Sequence, residues 1–197
     1  MVSRVKDQFY KKAKTEGYLA RSVYKLMELD QKYKLFTAVK PGTVIEFGIS
    51  PGSWYQYYSK RLIPQIFVIG VDQKPFKAKI HNGIFLEKDI LQLLADDLVP
   101  LIRGKVVLVL SDALHNMTGN RIQDQARADE LREHISGLAQ SLLAPGGHVV
   151  MKTYETPALT PWVRKIQKQF KQSRLEKPEA SRQESAERYF VGIGYHG

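Results

Sequence analysis

The sequence predicts an α/β fold built on a mostly parallel β-sheet, with helices on both faces and one antiparallel strand near its end. Short apolar segments, such as Val106 to Leu110, alternate with helix-like segments along the chain. Nearly continuous apolar runs are typical of parallel strands, because both of their faces are buried. Two strand-like segments follow each other at the C-terminal end with no helix between them, which indicates a hairpin and hence an antiparallel strand.

Periodicity and chain breakers place the individual elements. Leu19, Val23, Leu26 and Leu29 recur at helical spacing and predict a helix over residues 18–33. The turn at residues 40–42 then begins the alternation. The predicted strands are residues 43–47, 66–71, 83–87, 105–110, 148–151, 172–177 and 188–194. The other predicted helices are residues 53–62, 90–102, 121–143 and 157–170.

Length and composition limit the classes of protein to consider. At 197 residues the chain fits one domain over residues 1–197, long enough to bury a core. It has no cysteine, which excludes disulfides, thiolate zinc sites and cysteine nucleophiles. No apolar run approaches the length of a membrane span, and the N-terminal segment lacks the apolar stretch of a signal peptide. We therefore expect a cytoplasmic protein.

The net charge of +10 is concentrated at the two ends of the chain. Residues 1–40 hold ten basic residues against four acidic ones, and residues 161–197 hold eight against four. Residues 41–160 hold twelve of each. This segregation favours a phosphate-binding surface, with solvated basic tails as the alternative.

Both basic ends suit RNA. Residues 1–40 are predicted to form a basic RNA-contacting segment and a helix. The residues predicted to contact phosphates there are Arg4, Lys6, Lys11, Lys12, Lys14 and Arg21. Phe9 and Tyr10 beside them are candidates for stacking on bases. The second basic stretch consists of Arg164, Lys165, Lys168, Lys171 and Arg174.

Polar residues gather where the predicted strands end, the edge at which open parallel sheets bind ligands. The loop from Gly48 to Trp54 follows the first strand, and Asp72 follows the second, where an acid takes hydrogen bonds from ribose hydroxyls. Asp89 stands at the end of the third strand, and capping the following helix is its alternative role. Asp112 and Lys152 follow two later strands.

The loop chemistry indicates which ligand this edge takes. Its sequence G-x-S-P-G-S-W lacks the G-x-G-x-x-G pattern that seats a dinucleotide, and no Lys-Ser/Thr pair follows as a triphosphate-binding loop requires. A ligand with a ribose and an adenine but no phosphate fits better. The sequence therefore predicts S-adenosylmethionine.

With these residues in place, the chain resembles the FtsJ family of ribosomal RNA 2′-O-methyltransferases over nearly its whole length. The order and spacing of several stretches carry the resemblance: residues 21–26 (RSVYKL), 48–54 (GISPGSW), 111–112 (SD) with 116–119 (NMTG), 143–147 (LAPGG) and 181–191. The resemblance implies a Rossmann-like methyltransferase fold with a seven-stranded sheet and an antiparallel last strand. It also implies methylation of the 2′-oxygen of a uridine in large-subunit ribosomal RNA, by a monomer that needs no metal.

The resemblance carries the family's catalytic residues over to Lys25, Asp112, Lys152 and Glu187. The predicted cofactor site comprises Gly48, Ser50, Pro51, Gly52, Trp54, Asp72, Asp89, Ile90 and Asp112. Ser50 and Ser53 depart from the Ala and Gly usual in the family, and His115 stands at or beside its usual Pro.

Lys152 is the candidate for handling the proton of the ribose hydroxyl. A second ammonium at Lys25 and burial would lower its pKa, whereas the carboxylates of Asp112 and Glu187 would raise it. The sequence leaves open whether Lys152 is a true base or only aligns the oxygen.

Three rival functions remain from the sequence alone. A nicotinamide-dependent oxidoreductase shares the fold, but the loop chemistry argues against it. The second is a non-catalytic RNA-binding or ribosome-assembly module. The presence of all four residues Lys25, Asp112, Lys152 and Glu187 argues against it, because such a module needs no catalytic residues. A methyltransferase of the same family that acts on tRNA or another RNA is the third.

Overall fold

A computed structural model describes residues 5–37, 39–76, 78–114, 118–182 and 184–197, without the side chains of residues 5–7. Arg4, His115, Asn116, Met117 and the side chain of Lys6 therefore lie outside the described residues. The strands are β1 Gly42–Phe47, β2 Ile66–Asp72, β3 Gly83–Glu87, β4 Val106–Ser111, β5 Leu143–Tyr154, β6 Phe170–Glu176 and β7 Glu187–Tyr195. The helices are α1 Val5–Thr15, α2 Val23–Tyr33, α3 Ser53–Leu62, α4 Ala95–Leu98, α5 Arg121–Leu142 and α6 Leu159–Ile166.

These strands form a seven-stranded sheet within the described residues, in the order β3-β2-β1-β4-β5-β7-β6. The pairs β1–β2, β2–β3, β1–β4 and β4–β5 are parallel. Strand β7 runs antiparallel to both of its neighbours, β5 and β6. The predicted mostly parallel sheet with one antiparallel strand is confirmed.

The sheet order reverses between β1 and β4. The chain builds outward from β1 through β2 to β3 and then returns to add β4 on the other side of β1. Loops that leave two neighbouring strands in opposite directions open a crevice at such a switch point, where α/β sheets bind ligands. Gly48 after β1 and Asp112 after β4 both lie at this crevice.

Helices cover both faces of the sheet. On one face α1, α2 and α3 pack against alternate strand residues such as Val44 and Val150. On the other face α5 and α6 pack against the intervening residues, such as Ile45 and Val149. The alternation follows from the two-residue period of a strand. In the described part of the chain, no helix combines the length and apolar character needed to cross a membrane.

Three predicted elements differ from the observed ones. The helix expected over residues 18–33 begins only at Val23, and α1, which was not predicted, precedes it. The helix expected over residues 90–102 is replaced by 3₁₀ turns at Ile90–Gln92 and Val99–Leu101 around the one-turn helix α4. Strand β5 begins directly after α5 and spans Leu143–Tyr154, so it is longer than the strand predicted over residues 148–151.

Candidate active site

The loop after β1 approaches the loop after β4 very closely. Gly48 has φ +76°, and a Cβ at this position would lie 2.6 Å from Cα of Ala113. Only glycine fits both the left-handed backbone and this contact. The close approach sets the floor of the crevice between the two strands.

A cavity of about 360 Å³ opens above this contact, and we call it the switch-point cavity. Its walls include the predicted cofactor residues Gly48, Ser50, Asp72, Asp89, Ile90 and Asp112. The other described residues in its walls are Gln73, Lys74, Leu91, Ala113, Leu114, Arg127, Glu130 and Leu131. Among these described wall residues, four carboxylate side chains face two cationic ones, which favours a cationic ligand over a phosphate.

Backbone donors hold two of the carboxylates in place. Asp72 accepts the N–H of Ser50 on Oδ2 over 3.0 Å and the N–H of Lys74 on Oδ1 over 2.8 Å. Asp89 accepts the N–H of Leu91 over 3.0 Å, which caps the first 3₁₀ turn, so its alternative role is observed beside its place in the cavity wall. Each carboxylate oxygen has a second lone pair, which leaves acceptor capacity toward a ligand.

Three predicted cofactor residues do not line the switch-point cavity. Pro51 is exposed, and Gly52 packs its backbone against the ring of Phe76, where a Cβ would lie 2.7 Å from the nearest ring carbon. Trp54 is buried and donates its indole N–H to the carbonyl oxygen of Ser22 over 2.9 Å. Its side chain joins α3 to α2.

A cluster of two ammonium and two carboxylate groups lies beside the cavity; we call Lys25, Asp112, Lys152 and Glu187 the four-residue cluster. Lys25 donates to Oε1 of Glu187, and Nζ of Lys152 lies 2.8 Å from Oδ1 of Asp112. Nζ of Lys152 also lies 4.0 Å from Oε2 of Glu187, and this contact links the two ion pairs. Asp112 belongs both to the cluster and to the cavity wall. The structure therefore brings together all four residues that the resemblance implied.

Two further residues hold the cluster, and sequence reasoning missed both. Tyr189 is fully buried and donates its hydroxyl to Oδ1 of Asp112 over 2.7 Å. Ser181 donates to Oε1 of Glu187 over 3.2 Å. Tyr189 follows Glu187 by two residues on β7, so the alternation of a strand gives both side chains the same face. That spacing was the available signal.

Electrostatics shift the pKa values of Lys152 and Asp112. Burial opposes the charge of Lys152, but its interactions with Asp112, Tyr154 and Glu187 outweigh burial and raise its pKa above the usual value. Burial also opposes the charge of Asp112, but the ammonium groups of Lys152 and Lys25 lower its pKa. The pKa of Lys152 is therefore not depressed, as a general base at neutral pH would require.

Helices α1 and α6, which each carry part of one basic segment, lie on opposite faces of the sheet. Helix α1 packs through Ala13 on the face that also carries α2 and Lys25, whereas α6 packs through Trp162 on the other face. The ring centroids of Phe9 and Tyr24 lie 5.5 Å apart, and Arg21 donates to the carbonyl oxygen of Ala180. Both predicted RNA-contacting residues therefore make contacts within the protein.

Lys11, Lys12, Lys14 and Tyr10 are exposed on α1. The second basic stretch, from Arg164 to Arg174, is exposed as well. The exposed lysines of α1 and the exposed basic residues of α6 therefore lie on opposite faces of the sheet.

Comparison with known proteins adds independent information. Residues 18–195 match the family described as FtsJ-like methyltransferase. The chain is 35% identical over 193 residues to the ribosomal RNA large subunit methyltransferase E of Methanobrevibacter smithii, covering 96% of this chain and 90% of that protein. It is 37% identical over 197 residues to the protein of the same name from Bdellovibrio bacteriovorus, covering 98% of each.

A solved structure has the same fold. The crystal structure of a protein described as a ribosomal RNA methyltransferase from Plasmodium falciparum superposes with a TM-score of 0.78 at 26% identity. The superposition covers 91% of this chain and 100% of that one. The family match spans most of the chain, and the relatives align over nearly all of it. This chain therefore belongs to the FtsJ-like methyltransferase family.

Proposed function

We propose that the chain methylates the 2′-hydroxyl of a uridine ribose in large-subunit ribosomal RNA, with S-adenosylmethionine as the methyl donor. One observation carries the proposal: Asp112 joins the carboxylate-rich switch-point cavity to the four-residue cluster. A donor held in the cavity and an acceptor held by the cluster would thus meet at one side chain. The relatives' name, ribosomal RNA large subunit methyltransferase E, supports the choice of RNA.

The switch-point cavity fits S-adenosylmethionine by its chemistry. Asp72 has acceptor capacity for ribose hydroxyls at the end of β2, and Ile90 and Leu91 offer apolar surface for an adenine. The excess of carboxylates suits the positively charged sulfur and the ammonium of this ligand. The same excess disfavours the phosphates of a nicotinamide dinucleotide.

The chemistry is an in-line displacement on a methyl group. When bound, S-adenosylmethionine would supply a methyl carbon activated by its positive sulfur, and the ribose oxygen would form the new C–O bond as the C–S bond broke. Positioning in such a reaction contributes roughly 7–11 kcal/mol in well-oriented cases.

In this proposal Lys152 holds the ribose oxygen by a hydrogen bond from its ammonium and directs a lone pair toward the methyl carbon. The raised pKa of Lys152 supports this orienting role over the role of a base. Once methylated, the oxygen is strongly acidic and releases its proton to solvent.

The acceptor RNA would approach from the face that carries α1 and α2. Lys25 projects from α2 into the cluster, and Lys11, Lys12 and Lys14 are exposed on the neighbouring α1. Three exposed ammonium groups on one helix can neutralise phosphates of an RNA strand. Tyr10, whose side chain is 60% exposed, is the aromatic residue of α1 available for stacking on a base.

Methyl transfer to defined RNAs tests the proposal. Purified protein and labelled S-adenosylmethionine are incubated with large ribosomal subunits, free ribosomal RNA or tRNA from cells that lack the protein. Digestion to nucleosides should yield labelled 2′-O-methyluridine from the large-subunit RNA, and the Lys152→Ala variant should yield none. Label on a base, or label in tRNA alone, would contradict the substrate, and no label in any RNA would point to a non-catalytic module.

A further inference from the structure

Ser22 connects the helix that carries Lys25 to the loop that borders the switch-point cavity. The hydroxyl oxygens of Ser22 and Ser53 lie 3.0 Å apart and form a hydrogen bond between the first turns of α2 and α3. Ser53 is buried and directly follows Gly52, the last residue of the loop after β1. The two helix starts are thus joined side chain to side chain.

The main chain of Ser22 strengthens this junction. Its carbonyl oxygen accepts the indole N–H of Trp54 over 2.9 Å and the main-chain N–H of Lys25 over 3.1 Å. The same oxygen therefore serves the first turn of α2 and the first turn of α3. A shift of α3 relative to α2 would break the bond to Trp54 and disturb the turn that carries Lys25.

The hydroxyl of Ser22 bonds to Ser53 and does not cap the N-terminus of α2. A serine that precedes the first turn of a helix usually accepts a main-chain N–H from that turn. Ser22 makes no such bond, and its backbone is already helical, with φ −60° and ψ −18°. Its hydroxyl is engaged by Ser53 instead.

Ser53 is also one of the two loop positions at which the sequence differs from the pattern that the resemblance implied, which has glycine there. Glycine has no side chain and cannot form this hydrogen bond. We propose that Ser53 is a positioning residue, which fixes Lys25 relative to the switch-point cavity through Ser22. The inference rests on the proposed function, because Lys25 acts in it as a member of the four-residue cluster.

A double-mutant cycle tests this role. Ser53→Ala and Ser22→Ala should each lower the single-turnover methyl-transfer rate at saturating cofactor by roughly three- to tenfold, because a small misplacement of a reacting group slows the chemical step. The double variant should be no slower than the slower single variant, since both substitutions remove the same bond. The dissociation constant for S-adenosylmethionine, measured by calorimetry, should stay within about twofold of wild type, which separates positioning from cofactor binding.

The control is Ser59→Ala, the same substitution further along α3, which should leave the rate unchanged. An unchanged rate in Ser53→Ala, multiplicative effects in the double variant, or a loss confined to the melting temperature would each overturn the inference. Lys25→Ala in the same assay separates the two proposals. If it is inactive while Ser53→Ala is fully active, only the positioning role fails; if it is fully active, the role of Lys25 fails and the inference with it.

Discussion

The ammonium of Lys152 contacts Asp112 twice, lying 2.8 Å from Oδ1 and donating to the main-chain carbonyl oxygen over 3.0 Å. The two contacts hold the nitrogen in one place at the end of β5. Because Tyr189 donates to the same Oδ1, the carboxylate is also fixed from β7. The nitrogen is thus preorganised as a hydrogen-bond donor.

Replacing Lys152 should stop methyl transfer without loss of cofactor affinity. Lys152→Ala removes the donor, and Lys152→Arg substitutes a planar fork that cannot reproduce both contacts to Asp112. We expect single-turnover rates at least roughly a hundredfold below wild type for both variants. Near-normal turnover of Lys152→Ala would remove this residue from the mechanism.

The pH profile separates an orienting lysine from a basic one. The raised pKa of Lys152 keeps its ammonium charged through neutral and mildly alkaline pH, and the lowered pKa of Asp112 keeps its carboxylate ionised over the same range. We therefore expect a nearly flat single-turnover rate between about pH 6 and pH 9. A rate that climbs close to tenfold per pH unit would mean that neutral Lys152 acts as a base.

Asp72 should contribute mainly to cofactor binding. Asp72→Ala removes the acceptor for two loop N–H groups and the proposed acceptor for ribose hydroxyls. Hydrogen bonds to a charged group contribute about 1.5–3 kcal/mol, so affinity for S-adenosylmethionine should fall roughly ten- to a hundredfold in calorimetry. The matched control is Asp96→Ala, at an exposed position of α4. Equal affinities for both variants would remove Asp72 from the cofactor site.

RNA binding should depend on α1 more than on α6. Changing Lys11, Lys12 and Lys14 to Gln should flatten the slope of log affinity against log salt by about 0.7–0.9 for each RNA phosphate that these lysines neutralise. The control changes Arg164, Lys165 and Lys168 to Gln, which removes an equal charge on the other face of the sheet. A larger change of slope in the control would place the RNA on the α6 side.

Glu46 should make the protein less stable as pH rises. It is buried on β1 and accepts the hydroxyl of Tyr58 over 2.8 Å, and burial raises its pKa to about 8. Below about pH 4.5 it is protonated in both the folded and the unfolded state. Between that pH and about 8 only the unfolded state loses the proton, which costs about 1.4 kcal/mol of stability per pH unit.

Glu46→Gln, which can keep the bond to Tyr58, should remove this loss. Its free energy of unfolding in urea, minus that of wild type, should increase from pH 5 to pH 8. The control is Glu87→Gln, the same substitution at an exposed strand end. A constant difference for Glu46→Gln would contradict the raised pKa.

The sheet and half of the candidate site were predictable because they depend on local patterns. Apolar runs mark strands, and the polar residue after each run marks the edge at which parallel strands end together. This reasoning alone reached Asp72, Asp89, Asp112 and Lys152. The structure places Asp72, Asp89 and Asp112 along the crevice, and Asp112 and Lys152 in the four-residue cluster.

Other parts depend on contacts between distant segments. Lys25 and Glu187 are separated by 162 residues, and only the resemblance linked them. The resemblance implied a cofactor contact for Trp54, and no sequence pattern indicated that its indole N–H is donated to the carbonyl oxygen of Ser22, at the start of α2. Helix α1 has few apolar residues, and packing through Phe9 and Ala13 compensates for its weak periodicity. The single-domain, monomeric, cytoplasmic and metal-independent character of the chain stays a prediction.

The antiparallel placement of β7 has a consequence for how the molecule is made. Glu187 and Tyr189 lie on β7, which follows β5 and β6 in the chain but lies between them in the sheet. Strands β1 to β5 and their helices are therefore synthesised before Glu187, the second carboxylate of the cluster, and before Tyr189. Strand β7 then pairs with β5 and β6, the two strands that precede it in the chain. Catalytic competence therefore requires that β7 has joined the sheet and has brought Glu187 beside Lys25.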